Sequence, residues 1–171
     1  MLHFGAASAA YALGRRGAAL TSLKRAVELN PEFVEALTVL AQVAHESGDS
    51  SLAIRSVEKA AALRPRDRSL TDIRERWRNE TSVHNSYLEK SAGHFRILYE
   101  GGTQQSIGDR VARVLERERS RIGRTLNSYP SETLTVILYT NREFQDITRS
   151  PSWVTGGYEG RIRIAAGGAD F

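Results

Sequence analysis

The chain has 171 residues, with 24 lysines and arginines against 20 aspartates and glutamates, and a formal net charge of +4. Hydrophobic residues make up 40% and charged residues 26%, a soluble globular composition that excludes a disordered or collagen-like chain. No run of 18 apolar residues is present, which argues against a membrane span, and the lack of cysteine excludes disulfides while leaving both cytoplasm and periplasm open as compartments.

An internal repeat comes first in the chain. Residues 7–31 align with residues 41–65 at an offset of 34, and eight of the 25 aligned positions are identical. Glycine falls between the two helices of each unit, where a left-handed residue is needed, and proline follows the second helix. These glycines and prolines are Gly14, Gly48, Pro31 and Pro65. The pattern resembles the tetratricopeptide repeat, a helix–turn–helix unit with the same period, and predicts two repeats over residues 1–66.

The resemblance also implies a binding surface, because the first helices of stacked repeats line a concave face. Helical spacing predicts that this face carries Phe4, Ser8, Tyr11, Thr38, Gln42 and His45. We expect it to bind a peptide or a partner protein. Two repeats bury little surface, and the first begins without a cap at Met1, so we also expect further repeats upstream or an oligomer contact at that end.

Residues 67–92 are predicted to form a capping or connector helix that closes the end of the repeats. Its apolar positions recur at helical spacing and then continue after a polar interval. They are Leu70, Ile73, Trp77, Tyr87 and Leu88.

From Gly93 onward the pattern is mixed. Alternation predicts strands over residues 94–100 and 134–140, and a period of 3.6 predicts a long helix over residues 104–127. Asn141 is predicted to cap a short helix over residues 142–148. A hairpin of strands 153–158 and 161–165 follows. The chain is thus predicted to be α+β: an all-α solenoid, then a small, incomplete α+β unit with a mixed or antiparallel sheet over residues 93–171.

Catalytic motifs are missing from this sequence. A zinc protease motif needs two histidines one helical turn apart with a glutamate between them. The nearest string begins at His45-Glu46, but Asp49 stands where the second histidine should be and Gly48 ends the helix. We therefore predict no catalytic residue, no metal ligand and no cofactor in the chain itself.

The order of elements after Gly93 is similar to the opening half of the peptidase-MA-like gluzincin domain, which often follows tetratricopeptide repeats in bacterial proteins. The positions that carry this resemblance are residues 94–99, 129–130, 135–139, 144, 151–153, 157 and 160–164. It implies that the hairpin borders a substrate cleft, and that a zinc-binding helix follows the hairpin in a longer parent protein. The implied substrate-binding residues are Trp153, Gly157, Tyr158, Arg161 and Arg163.

Two functional hypotheses remain open. In the first, the chain is the non-catalytic N-terminal portion of a repeat-tethered zinc-metallopeptidase-like protein, with the repeats as an interaction scaffold. In the second, it is a stand-alone repeat adaptor without enzymatic activity. Nucleic-acid binding is disfavoured, because residues 1–92 and residues 93–171 each carry a net charge of +2 and no basic lobe forms. An incomplete second unit should also expose an apolar patch on its sheet or on helix 104–127.

Overall fold

The computed structural model describes residues 2–101, 105–130 and 132–166. The chain divides into two compact units, Met1–Thr81 and Ser82–Phe171. Its secondary structure is α+β, with five helices in tandem followed by a mixed sheet and two further helices. In the described part of the chain, no helix is both long and apolar enough to cross a membrane.

The first unit consists of helices whose boundaries follow the period of the repeat. They are α1 (Leu2–Ala12), α2 (Arg16–Leu29), α3 (Val34–Glu46), α4 (Ser50–Leu63) and α5 (Arg68–His84), of which residues 82–84 belong to the second unit. Gly14 and Gly48 have φ angles of 71° and 86°, so both turn glycines adopt the predicted left-handed conformation. Helices α2 and α4 end before Pro31 and Pro65, as the pattern predicted.

Small and branched side chains fill the core of the first unit. One hydrophobic cluster joins α1, α2 and α3, and a second joins α3, α4 and α5. Ala19 and Ala53, which are equivalent in the two repeats, are both fully buried. Leu70 and Trp77 of α5 pack into the second cluster, which confirms the predicted apolar stripe of this helix.

The connector is shorter than predicted. Helix α5 ends at His84, and Tyr87–Ala92 forms strand β1 rather than the last part of a helix. Strand β1 pairs antiparallel with β2 (Phe95–Glu100) through a turn at Gly93, whose φ is 55°. The sequence did not predict this strand, because the burial of β1 lacks the strict alternation that identifies one.

The remaining elements of the second unit are α6 (Gln105–Leu126), β3 (Leu134–Tyr139), α7 (Asn141–Thr148), β4 (Gly156–Tyr158) and β5 (Ile162–Ala165). The strand order is β1-β2-β3-β5-β4, with β2, β3 and β5 parallel and the two outer pairs antiparallel. The sheet is therefore mixed. Of the predicted hairpin, residues 153–155 precede the strand instead of belonging to it, and the predicted start of α6 at residue 104 lies outside the described residues.

Two hydrophobic clusters lie on opposite faces of this sheet. One includes Ile97, Val136 and Leu138 and packs against α6, and the other includes Ile137 and Tyr139 and packs against α7. Helix α6 is only partly covered, and some of its apolar side chains are exposed, in line with the expectation of exposed apolar surface. Its exposed apolar side chains are Val114, Ile122 and Leu126.

The N-cap of α7 differs from the prediction. Thr140, not Asn141, is the N-cap: its hydroxyl accepts a hydrogen bond from the Glu143 N–H at 3.2 Å, and the Glu143 carboxylate accepts one from the Thr140 N–H at 2.9 Å. This reciprocal capping box satisfies two N–H groups that a helix end otherwise leaves unpaired. Asn141 is the first residue of the helix.

Candidate partner-binding surface

The first helix of each repeat carries side chains at positions that are equivalent at the repeat offset of 34 residues. Ser8 on α1, Gln42 on α3 and Arg76 on α5 form one such set, with Ser8 and Arg76 exposed and Gln42 half-buried. Phe4, Thr38 and Asp72 form a second set. We call these six residues the first-helix face. Arg76 and Asp72 were missed in the sequence analysis, although extending the same offset to α5 identifies both.

Hydroxyl groups on this face bond to their own helices. The Ser8 hydroxyl donates to the Phe4 carbonyl at 3.0 Å, and the Thr38 hydroxyl donates to the Val34 carbonyl at 2.8 Å. The Phe4 ring lies with its centroid 5.0 Å from that of Phe33, in a tilted arrangement. Phe4 is therefore held by an aromatic contact as well as being part of the first-helix face.

Glu46, at the end of α3, gathers donors from three helices. Its Oε1 accepts hydrogen bonds from the Tyr11 hydroxyl at 2.6 Å and from Gln42 Nε2 at 2.8 Å, and its Oε2 accepts one from Arg16 Nε at 3.3 Å. The predicted binding residue Tyr11 thus faces Glu46 and ties α1 to α3. Glu46 itself was missed, because its donors lie up to 35 positions away in the sequence.

The charges in this cluster shift two pKa values. Burial and the hydrogen bond to Glu46 raise the pKa of Tyr11 to about 12. Burial alone would raise the pKa of Glu46, but the hydrogen bonds from Tyr11, Gln42 and Arg16 outweigh it and lower that pKa below its ordinary value. Glu46 is therefore charged at neutral pH, and the cluster stabilises the junction of the two repeats.

His45 is buried, which corrects the prediction from helical spacing that it lies on the accessible face. The residue is 6% exposed, and its Nε2 lies 2.7 Å from Glu80 Oε2. Its ring stacks on Trp77 with centroids 4.2 Å apart and an interplanar angle of 9°. The burial follows from α5, which packs over the end of α3 and brings a carboxylate and an indole ring to the imidazole.

The same contact recurs one repeat later. Tyr11 bonds to Glu46, and His45 bonds to Glu80, and the members of the two pairs are equivalent at the repeat offset. We call the two pairs the inter-repeat clasps. Each links the end of one first helix to the next first helix along the chain. Glu46 and Glu80 are identical residues at this offset, a signal that the sequence analysis did not use.

The side chains of the string that begins at His45 make other contacts. His45 is held by Glu80, and the Asp49 carboxylate caps α4 by accepting from the Leu52 N–H at 2.9 Å. Within the described ranges, no group of three histidine, aspartate or glutamate side chains converges as a metal site would require.

The predicted substrate residues of the second unit fall into two groups. Trp153 and Tyr158 are 80% and 56% exposed, and Gly157 lies on the exposed strand β4 at the outer edge of the sheet. Arg161 and Arg163, in contrast, are buried, so these two predicted substrate-binding residues do not lie on the exposed surface. Strand β5 lies between β3 and β4, which covers both of its edges, and Arg163 Nη1 donates to Glu159 Oε2 at 2.9 Å.

A polar cluster that the sequence analysis missed lies between β1, β3 and α7. His84 Nε2 lies 2.7 Å from the Tyr139 hydroxyl, and the Tyr87 hydroxyl donates to Glu143 Oε2 at 2.8 Å. Burial, followed by the Glu143 contact, raises the pKa of Tyr87. Burial alone would raise the pKa of Glu143, but the hydrogen bonds that its carboxylate accepts from the Thr140 N–H and the Tyr87 hydroxyl lower that pKa below its ordinary value. The partners in each pair are far apart in the sequence, so no local pattern identifies them.

Comparison with known families finds a match in the first unit. Residues 2–33, which span α1 and α2, match the family model described as "Tetratricopeptide repeat". Together with the five tandem helices, this match indicates a repeat scaffold of the kind that mediates protein–protein interaction. The resemblance of residues 93–171 to the peptidase-MA-like domain stays a prediction.

Two curated relatives are similar to part of the chain. They are "Cellulose synthase operon protein C" of Escherichia coli strain K12 and "Putative cellulose synthase operon protein C" of Escherichia coli O157:H7. Each is 29% identical over 107 residues, which is 63% of this chain and 8% of the relative. The chain therefore covers only a small part of the length of these relatives.

Proposed function

We propose that the repeat unit is a protein-interaction scaffold that binds a peptide or partner protein on its first-helix face. The observation that carries this proposal is the ladder of Ser8, Gln42 and Arg76 at equivalent positions on α1, α3 and α5. Regular spacing of such side chains lets a repeat array follow an extended partner along several units.

The side chains of this ladder retain hydrogen-bonding capacity. The side-chain N–H of Gln42 donates a hydrogen bond to Glu46, and the side-chain carbonyl oxygen of Gln42 can accept hydrogen bonds from a partner. Arg76 is exposed and next to Asp72 on the same helix face, so one end of the ladder offers both signs of charge. These groups suit a partner segment that contributes backbone amides and charged side chains.

Site-specific photo-crosslinking tests this proposal. A photoreactive amino acid at position 8 or 76, in the full chain, should crosslink to a partner peptide selected from a display library. The matched control is Arg55, which is exposed on α4, a second helix of the array. Crosslinks from position 55 together with none from positions 8 and 76 would contradict the proposal.

We further propose that the chain is the non-catalytic N-terminal portion of a repeat-tethered zinc-metallopeptidase-like protein. Strand β4 supports this proposal, because all three of its residues are exposed at the edge of the sheet and Trp153 is exposed nearby. An edge strand can pair with an extended peptide through backbone hydrogen bonds, and its exposed side chains then set specificity.

Hydrogen exchange distinguishes this proposal from the alternative of a stand-alone adaptor. In a protein that continues beyond this chain, an extended peptide should slow amide exchange in residues 156–158, and the longer protein should retain zinc after dialysis. Unchanged exchange in β4 together with a metal-free longer protein would favour the adaptor without enzymatic activity.

A further inference from the structure

A groove lies between α6 and β5, on the face of the sheet that α6 partly covers. Its apolar floor is formed by Val111, Val114 and Leu115 of α6 and by Ile164 of β5. The volume is about 540 Å³, and Val114 is 45% exposed within it. Ligand sites in proteins typically have volumes of ~300–1,000 Å³, so the groove is large enough to hold several side chains of a partner.

The geometry of the sheet indicates what shape fits the groove. Helix α6 packs against β2, and β5 is the second strand along from β2. Neighbouring strands are about 4.8 Å apart, so β5 lies about 9.6 Å to the side of β2. Packed helices have axes ~8–10 Å apart. One further helix placed over β5 would therefore contact α6 at the normal distance and cover Ile162 and Ile164.

The rim of the groove is strongly basic. Five exposed arginines recur on α6 at spacings of three and four residues, which places them on one side of the helix. We call them the arginine stripe, and they are Arg110, Arg113, Arg117, Arg121 and Arg124. The first three of them line the groove.

The acidic residues of α6 only partly offset the stripe. Glu118 pairs with Arg117 at 3.3 Å and with Arg121 at 2.6 Å. Asp109 instead pairs with Lys90, and Glu116 pairs with His94 at 3.2 Å. Among the described residues of α6, arginines therefore outnumber acidic residues on the groove side, where Arg113 and Arg117 line the groove.

We propose that this groove is a docking site for an acidic amphipathic helix of a partner protein. The apolar side chains of that helix, at i, i+3, i+4 and i+7, would fill the floor, and carboxylates on its flank would pair with Arg113 and Arg117. Nucleic acid or an anionic membrane would also attract the arginines. Neither provides apolar groups on a rod of helical width, which the floor of the groove requires. This proposal is independent of the first-helix face.

The test uses the full chain and a fluorescein-labelled synthetic amphipathic helix of five turns, with leucines on one face and glutamates along one flank. We expect saturable binding by fluorescence anisotropy. The double variant R113E/R117E should weaken it about tenfold, because two rim attractions become repulsions. Val114→Asp should weaken it similarly by placing a charge in the apolar floor. Arg142→Glu is the matched control, since Arg142 is exposed on α7, and should leave binding unchanged.

Three further outcomes decide between occupants. A peptide with lysines in place of the glutamates should bind R113E/R117E better than it binds the natural chain. Equal binding of a scrambled peptide of the same composition would overturn the proposal, since charge alone would then explain the affinity. Tighter binding of single-stranded DNA, or of vesicles made from phosphatidylcholine and phosphatidylglycerol at three to one, would also overturn it if Val114→Asp left that binding unaffected. Circular dichroism of each variant checks that the fold is retained.

Discussion

At the scale of single residues, two carboxylates stabilise the junctions between repeats. Glu46 and Glu80 occupy equivalent positions in successive repeats. Glu46 accepts a hydrogen bond from Tyr11 at the end of α1, and Glu80 pairs with His45 at the end of α3. In a repeat array each unit contacts only its neighbours, so the stability of such junctions decides whether the array is cooperative. The inter-repeat clasps therefore contribute to the stability of the whole first unit.

The His45–Glu80 clasp gives the first prediction. Glu80→Ala removes the carboxylate from a buried imidazole, and it should lower the free energy of unfolding by about 1–3 kcal/mol, the usual cost of removing the partner of a buried polar group. Urea denaturation followed by circular dichroism measures this change. The control is Glu75→Ala on the same helix, where the side chain is exposed and the change should stay within about 0.5 kcal/mol. Equal effects of the two substitutions would contradict the role of the clasp.

The Tyr11–Glu46 clasp gives a prediction on pH. The pKa of Glu46 is lowered in the folded state, so its contribution to stability is present above its ordinary value of 4.5 and is lost as the pH falls through the lowered pKa. The stability difference between the natural chain and Glu46→Gln should therefore be largest near pH 7 and shrink below pH 4.5. Urea unfolding at pH 7, 4.5 and 3.5 tests this expectation, and a difference that grows in acid would refute it.

At the scale of elements, α7 shows how a single cap fixes a helix boundary. Thr140 and Glu143 satisfy each other's backbone N–H groups, and Glu143 also accepts from Tyr87 on β1. Thr140→Ala should therefore destabilise the protein by about 1 kcal/mol, the typical loss for an N-cap. Asn141→Ala, one position along, should be nearly neutral. Thermal unfolding of the two variants measures the difference. A larger loss of stability in Asn141→Ala than in Thr140→Ala would instead support Asn141 as the N-cap, as the sequence predicted.

Strand β1 is the element on which local pattern and structure disagree. Tyr87 and Leu88 follow a helical stripe, and their own segment has no regular alternation of buried residues. Its conformation is decided by hydrogen bonds to β2 and by burial of Tyr87 among Ile137, Tyr139 and Phe144. Tertiary contacts commonly override weak local preference in short strands.

At the scale of the whole molecule, each unit has hydrophobic clusters of its own. A unit with its own core can open without its neighbour. Glu80→Ala should therefore accelerate amide exchange in α3 and α4 and leave β3 in the second unit unchanged. Hydrogen exchange read by mass spectrometry measures both regions in one experiment. Equal acceleration in α3 and β3 would show instead that the chain unfolds as one cooperative unit.

The amino-acid sequence alone determined the features that repeat at short range. The repeat offset located the turn glycines and the ends of α2 and α4. A helix–turn–helix unit needs glycine in its turn for a left-handed backbone conformation, and proline after its second helix ends that helix. The period of 3.6 located α6, and alternation located β2 and β3, since each follows from one face of an element meeting a core. The exposed apolar side of α6 was also expected.

Only the tertiary structure decided which side chains are buried and which polar groups meet. His45 lies inward because α5 covers it, and Arg161 and Arg163 lie inward because β5 is an inner strand. Glu46 gathers Tyr11 and Arg16 from 35 and 30 positions away. The groove beside α6 exists because β5 lies two strands from β2. Burial and pairing depend on which elements pack together, and a local periodicity carries no information about elements so distant in the chain.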